Sequence, residues 1–484
     1  PKEKTAAVNY DNFLNEYIDS TVSPGEDFFK FAMGKWLKNN PIPESERSWG
    51  IWTLVNEENY SRIRKINEEA AANTKAKKGS NEQKIGDFWF TGMDTVTIEK
   101  QGITPLKPEL DKIAAISDPQ GVIKMASYLH TMQVQPLFGN YIFQDEKNSN
   151  KFRLHFYQGG IGLPDRDYYF DKDERTVTIR NEYVKHISKM FQLTGIDAAT
   201  ADTYAQTIMK METDFAGASR KLADLRDPYA NYNSMAVADV NKLCPAINWE
   251  SFLADAGIKN IDTIIVGQPE FFKQLNTSLT KESVDNWKIY LQWNLINAYA
   301  DRLSSDFDKE HFHFYGTILN GTKEQRARWK RVLDAEEDAM GFLLGQLYVE
   351  AYYPPEEKAR YEKIVENTMA AYKVRIQQLD WMSPETKEKA LLKLSTVIKK
   401  VGYPDKWRDY SALTITRDSY VQNAINANKY LHAYEVEKLY KPVDKTEWEM
   451  TPQTWNAYYN PSNNEIVLPA AAFIVPGVPD KYVD

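Results

Sequence analysis

A chain of 484 residues with 60 Lys and Arg against 68 Asp and Glu carries a formal charge of −8, which argues against a nucleic-acid partner, since phosphate binding needs a basic face. Hydrophobic residues at 42% and charged residues at 26% describe an ordinary globular protein of roughly two to three domains. No run approaches the roughly 18 apolar residues of a membrane span, and a single cysteine, Cys244, excludes an intrachain disulfide and a cysteine-based zinc site.

The opening Pro1-Lys2-Glu3-Lys4 has no hydrophobic region of the signal-peptide kind, as in a mature or trimmed exported protein. Ser23-Pro24-Gly25-Glu26 reads as a capping box leading into a helix through Phe28, Phe31 and Trp36, which Pro41 and Pro43 stop. A second helix is predicted over residues 49–71, with Ile51, Leu54 and Val55 on one face, and a third carries Ile85, Phe88, Trp89 and Met93. Residues 134–143 and 152–158 have strand character and are separated by a polar turn at 145–149, so they are expected to pair as a hairpin. Gly159-Gly160-Ile161-Gly162 reads as a turn rather than a phosphate loop, because Leu163-Pro164 follows and no helix opens there. Further helices are predicted over 183–193, 204–222, 284–303, 323–352, 359–379 and 383–399. Near the end, Tyr458-Tyr459 and Ile466-Val467-Leu468 read as two strands around the turn residues 460–464. The fold class is therefore mainly α with a small β component.

Few residues offer chemistry on their own. None of the six histidines makes H-E-x-x-H, the arrangement that places two imidazoles one helical turn apart for zinc. In His311-Phe312-His313-Phe314 a spacing of two would put both imidazoles on one face of a strand, where they could chelate a metal. The other reading is an alternating polar and aromatic connector between helices. Glu336-Glu337-Asp338 reads as a charged, solvated helix face. Cys244 reads as a small buried hydrophobe rather than a reactive thiol.

Several blocks, in order, resemble the neprilysin and endothelin-converting-enzyme-like zinc metallopeptidases. They are Asp27-Phe28-Phe29-Lys30-Phe31-Ala32-Met33-Gly34-Lys35-Trp36, then Gly162-Leu163-Pro164-Asp165-Arg166-Asp167-Tyr168-Tyr169, then Arg226-Asp227-Pro228 with Tyr232-Asn233. Leu347-Tyr348-Val349 with Tyr352-Tyr353-Pro354-Pro355 follows, then Glu385-Thr386-Lys387 with Gly402-Tyr403-Pro404-Asp405, and last Asn456-Ala457-Tyr458-Tyr459. The resemblance implies a two-lobed, mainly α-helical zincin. It would pair a large helical cap lobe with a thermolysin-like catalytic lobe that is incomplete in this chain, around a closed chamber that admits small peptides. Residues 1–454 would be the cap and the elements wrapping onto the catalytic lobe, and 455–484 the start of the catalytic region.

By the same resemblance, Asn456 and Ala457 sit on the edge strand that hydrogen-bonds the substrate backbone, although Asn456 could instead cap or turn that strand. Trp52 falls at an aromatic position lining the pocket for the residue after the scissile bond, or is a core aromatic of its helix. Thr53 and Asn56 stand where better-known members carry acidic and basic residues, and the arginine is Arg47, one place early. No clamp on a substrate's free carboxylate is therefore expected. The tail from Ala471 to Pro479 also departs from the family pattern. The cofactor implied is zinc, bound by residues outside this chain, so no catalytic or metal residue is assigned here. The chain would be cut just before the zinc motif, and its partners would be small peptides and the C-terminal catalytic segment of the same protein. The function implied is that of a zinc-dependent endopeptidase; the alternative is a non-catalytic peptide-binding or scaffold protein that has lost the zinc segment. Few cysteines and no visible anchor fit a bacterial periplasmic or secreted member whose export signal was removed.

Overall fold

The structure, a computed structural model, describes residues 14–474; the opening residues and the tail from Val475 onward, including the end of the departing segment, lie outside the described residues. The first helix runs over Phe28–Asn39, and its cap is Asp27, whose carboxylate accepts the Lys30 N–H at 2.9 Å. The expected Ser23 cap is not used. Ser23 O accepts the N–H groups of Glu26 and Asp27 instead, which makes 23–27 a turn and leaves the aspartate to satisfy the helix's orphan donors. The second helix, Ile51–Ala72, begins where the Gly50 N–H donates to Thr53 Oγ1 at 3.1 Å. The third, Asn81–Met93, is capped by Ser80.

Among the described residues the buried apolar side chains fall into two cores, which define the two lobes. One gathers residues from Leu106 to Phe314, with Val421, Ala424, Ile425 and Val436 added from the Tyr420–Lys438 helix. The other joins Val55–Ile98 positions to those between Val332 and Val365 and between Val401 and Ile474. The chain therefore leaves one lobe, builds the other and returns. Much of the high aromatic content is spent in the first core, where Phe138 packs against Phe156, Trp249, Phe252 and Phe272 at ring separations of 4.8–5.4 Å.

Each lobe carries one sheet. In the first, β1 (Gly139–Asp145) pairs antiparallel with β2 (Asn148–Tyr157), as the hairpin pattern predicts, with a tighter turn. β3 (Ser234–Ala236) and β4 (Thr263–Val266) complete the order β1-β2-β4-β3, with β2 and β4 parallel. The second sheet contains β5 (Ile398–Gly402), β6 (Tyr458–Asn460) and β7 (Glu465–Pro469) in the order β5-β7-β6. The helix expected over 383–399 stops at Ser395. Thr396, Val397 and Ile398 are β-branched and stiff at χ1, and the chain turns into β5, which runs parallel to β7.

The 159–170 turn is held from beneath by Glu212, a buried acid on the Ala198–Ala218 helix. Its carboxyl accepts from Tyr169 Oη at 2.6 Å, Tyr183 Oη at 3.0 Å and the Gly162 N–H at 3.1 Å. Gly162 must be glycine, because a Cβ there would lie 1.8 Å from the Tyr183 hydroxyl. Burial pushes the Glu212 carboxyl from 4.5 up to about 7. A raised acid pKa stabilises the fold fully below pH 4.5, and that stabilisation is lost as the pH rises through 7. The loss is of the order of 3 kcal/mol. Glu212→Gln is expected to flatten this part of the stability profile relative to wild type, measured by denaturant unfolding between pH 4.5 and 7.5; an unchanged slope contradicts it.

Candidate functional site

β6 pairs with β7 on one side only, through Tyr458↔Val467, Tyr459↔Ile466 and Asn460↔Glu465, and its other side is unpaired in the described sheet. Asn456 and Ala457 are exposed and immediately precede the strand rather than lying within it. The reason is local. The Ala457 N–H donates to Asn456 Oδ1 at 2.8 Å and the Asn456 N–H to Thr454 O at 2.9 Å, a side-chain turn that delays regular pairing until Tyr458. Asn456 thus turns the chain and also presents its amide at the mouth of an open strand edge.

Trp52 lies in the first turn of the Ile51–Ala72 helix and is 46% exposed, so it is no core aromatic. Its indole lies over Gly50, where a Cβ would come within 3.2 Å of Cδ1 and Nε1. Thr53 is buried and used by the helix start, while Arg47 Nη1 donates to Asn320 Oδ1 at 2.8 Å. Both side chains are thus engaged in structure.

The fold decides two readings that the sequence leaves open, those of the His311/His313 pair and of Cys244. His311 ends the Ser305–His311 helix and His313 lies in the π-helix Phe312–Ile318, so the pair is not on a strand and the two imidazoles diverge. Among the described residues no group of three or more His, Cys, Asp or Glu could hold a metal ion. Cys244 is fully buried in the first core, and burial pushes its thiol up to about 12.

Of the Glu336-Glu337-Asp338 run, Asp338 is exposed as expected and Glu337 is half-buried, but Glu336 is not on a solvated face. Glu336 is 0% exposed and faces the Asn67 amide without a hydrogen bond of good geometry, and burial holds its carboxyl well above the usual range. Glu337 accepts from Thr451 Oγ1 at 2.5 Å and from Gln453 Nε2 at 2.6 Å. The cause is tertiary: the 451–454 segment leading into β6 crosses the Arg328–Tyr352 helix there, next to a kink at Met340 (φ −155°, ψ 37°). Sequence reasoning missed Glu337, Gln453 and Asn59, whose Nδ2 donates to Gln453 O at 2.6 Å. A signal existed in Gly341 and Gly345, which are one helical turn apart and mark a close approach of another chain segment.

Peptidase family M13 matches residues 24–404. Neprilysin-3 of Drosophila melanogaster is 29% identical, over 95% of this chain and 62% of that protein. Endothelin-converting enzyme 1 of Mus musculus is 28% identical, over 97% of this chain and 63% of that protein. The crystal structure of the Mycobacterium tuberculosis zinc metalloprotease Zmp1 in complex with an inhibitor is similar to this fold at a TM-score of 0.88. That similarity covers 96% of this chain and 71% of that one, at 34% identity. The chain belongs to peptidase family M13 and spans less than two thirds of the length of Neprilysin-3 and endothelin-converting enzyme 1. The expected mainly α, two-lobed fold is the one observed, with 59% helix and 8% strand.

The sheet that carries the site is pinned by one buried ion pair. Lys400 Nζ on β5 lies 2.7 Å from Glu465 Oε2 on β7, with side-chain exposures of 6% and 1%, and also donates to Glu447 O at 2.5 Å. Glu465→Ala is expected to cost about 3–5 kcal/mol because it leaves an ammonium buried and unpaired. The double replacement Lys400→Met, Glu465→Leu should recover most of that loss. Denaturant unfolding of the three proteins checks it, and equal losses in the single and double variants contradict it.

Proposed function

We propose that this chain is the cap and substrate-binding portion of a zinc-dependent endopeptidase that cleaves small peptides in a chamber between its lobes. The observation that carries the reading is the unpaired outer side of β6, with Asn456 and Ala457 exposed at its start. An edge strand offers free N–H and C=O groups, so an extended peptide can add as one more strand whatever its side chains. The Asn456 amide supplies a donor and an acceptor for one further peptide unit. Trp52, exposed on the Ile51–Ala72 helix, supplies an aromatic wall for the residue after the scissile bond. When bound, zinc would polarise the scissile carbonyl and activate water; this chain's part is to bind and align the peptide.

The zinc ligands belong, in this reading, to a C-terminal catalytic segment of the same protein, and the division falls between 1–454 and 455–484. Exposed apolar side chains support such a partner. The Pro355–Gln378 and Pro384–Ser395 helices pack on each other and leave Ile364, Tyr372, Val374 and Leu392 in solvent, with Trp381 between them at 74%. No described helix is long and apolar enough to cross a membrane, and a periplasmic or secreted location fits this proposal.

The complete protein is expected to hydrolyse small peptides, to lose activity to a chelator and to regain it with zinc. Asn456→Ala should lower kcat/KM at least about tenfold, equivalent to about 1.4 kcal/mol of transition-state binding, with an unchanged circular dichroism spectrum. Peptide binding without hydrolysis in the zinc-loaded protein would point to a scaffold instead, and an unaffected Asn456→Ala enzyme would remove the strand-edge reading.

A further inference from the structure

β6 is short and paired on one side, so its position depends on what holds the residues before it. Thr451, Pro452 and Gln453 are buried; beside the local Thr451–Thr454 bonds, several contacts from elsewhere in the lobe fix them. Glu337 takes both the Thr451 hydroxyl and the Gln453 amide. Gln453 Nε2 also donates to Gly341 O at 2.8 Å, and the Ala471 N–H donates to Pro452 O at 2.9 Å. The fit is close enough to forbid side chains opposite. A Cβ on Gly341 would lie 2.9 Å from Thr451 Cγ2, and one on Gly345 would lie 2.8 Å from Pro452 Cδ and 2.9 Å from Gln453 Oε1.

The remaining tie reaches the other proposed substrate contact. Asn59, buried on the Ile51–Ala72 helix, donates to Gln453 O at 2.6 Å. Trp52 and Asn59 are seven residues apart, about two turns and roughly 10 Å along the axis, and they lie on the same side of the helix. One rigid helix thus carries the aromatic wall at one point and grips the strand-leading segment at another. The Asn59–Gln453 bond therefore ties the helix that carries Trp52 to the segment that leads to Asn456. A peptide bound along β6 would meet Trp52 in a fixed register.

We infer that Glu337 and Asn59 are positioning residues, which hold the 451–454 segment so that an extended peptide on β6 presents the residue after its scissile bond to Trp52. The inference rests on the reading of β6 as the peptide-binding edge and adds what sets its register. Neither side chain touches the peptide.

The test uses the complete zinc-loaded protein with a fluorogenic peptide series varied at the residue after the scissile bond. Asn59→Ala, Glu337→Ala and Thr451→Val are each expected to raise KM by about fivefold or more with kcat within about twofold, and to flatten the preference among aromatic, aliphatic and small residues at that position. Thr451→Ser, which keeps the hydroxyl, should restore both values and so separates the bond from general damage should Glu337→Ala fail to fold. A purely structural role would lower the melting temperature and leave KM and the preference unmoved, and that result overturns the inference. Asn456→Ala is measured in parallel. If it leaves KM unchanged, the strand-edge reading fails; if it raises KM while Asn59→Ala and Thr451→Val do not, only the positioning role fails.

Discussion

The constraint on which the site depends is that backbone hydrogen-bonding groups need partners. β7 lies between β5 and β6 and is satisfied on both sides, whereas β6 is satisfied on one. The open side is an aggregation liability in a protein that has no use for it. Here the liability is contained by brevity, because only Tyr458, Tyr459 and Asn460 form the regular strand. The same brevity means that the strand cannot orient itself, and it borrows rigidity from the kinked Arg328–Tyr352 helix and from the buried Lys400–Glu465 pair beneath it.

The two cores divide the physical work. The first is dense with aromatic rings around Phe138 and Trp249 and satisfies Glu212 in a network with Tyr169 and Tyr183. The second assembles segments from three parts of the chain, and it is crossed by buried charged or polar side chains, Glu336, Lys400, Glu465 and Asn59 among them. Buried polar contacts of this kind add less stability than apolar packing but fix one geometry. A surface meant to align a flexible ligand benefits from that trade.

What the sequence made legible follows from periodicity. The Ile51–Ala72 helix and the two hairpins were readable because their apolar spacing and turn residues are local signals. The helix expected to end at Lys399 runs over the first two residues of β5, whose remaining Lys400-Val401-Gly402 is too short to signal a strand by its pattern. β4 carried a Thr-Ile-Ile-Val signal but is too short to separate from a buried helix segment by period alone. The burial of Glu336 and the engagement of Glu337 are unreadable in the sequence, because nothing in a run of acids announces that a distant segment will cross it. The family pattern supplied Asn456, Ala457 and Trp52, and the structure leaves all three at the surface; the residues that hold them in relation to one another lie outside every motif.

The most direct measurement is amide hydrogen exchange of the complete protein with and without a peptide whose scissile bond has been replaced by a non-hydrolysable one. Binding along the open edge predicts slowed exchange at those amides of residues 458–460 that point away from β7, with little change in β5 or in the first-lobe sheet. Saturating peptide that leaves those amides unprotected while slowing exchange elsewhere would contradict the account.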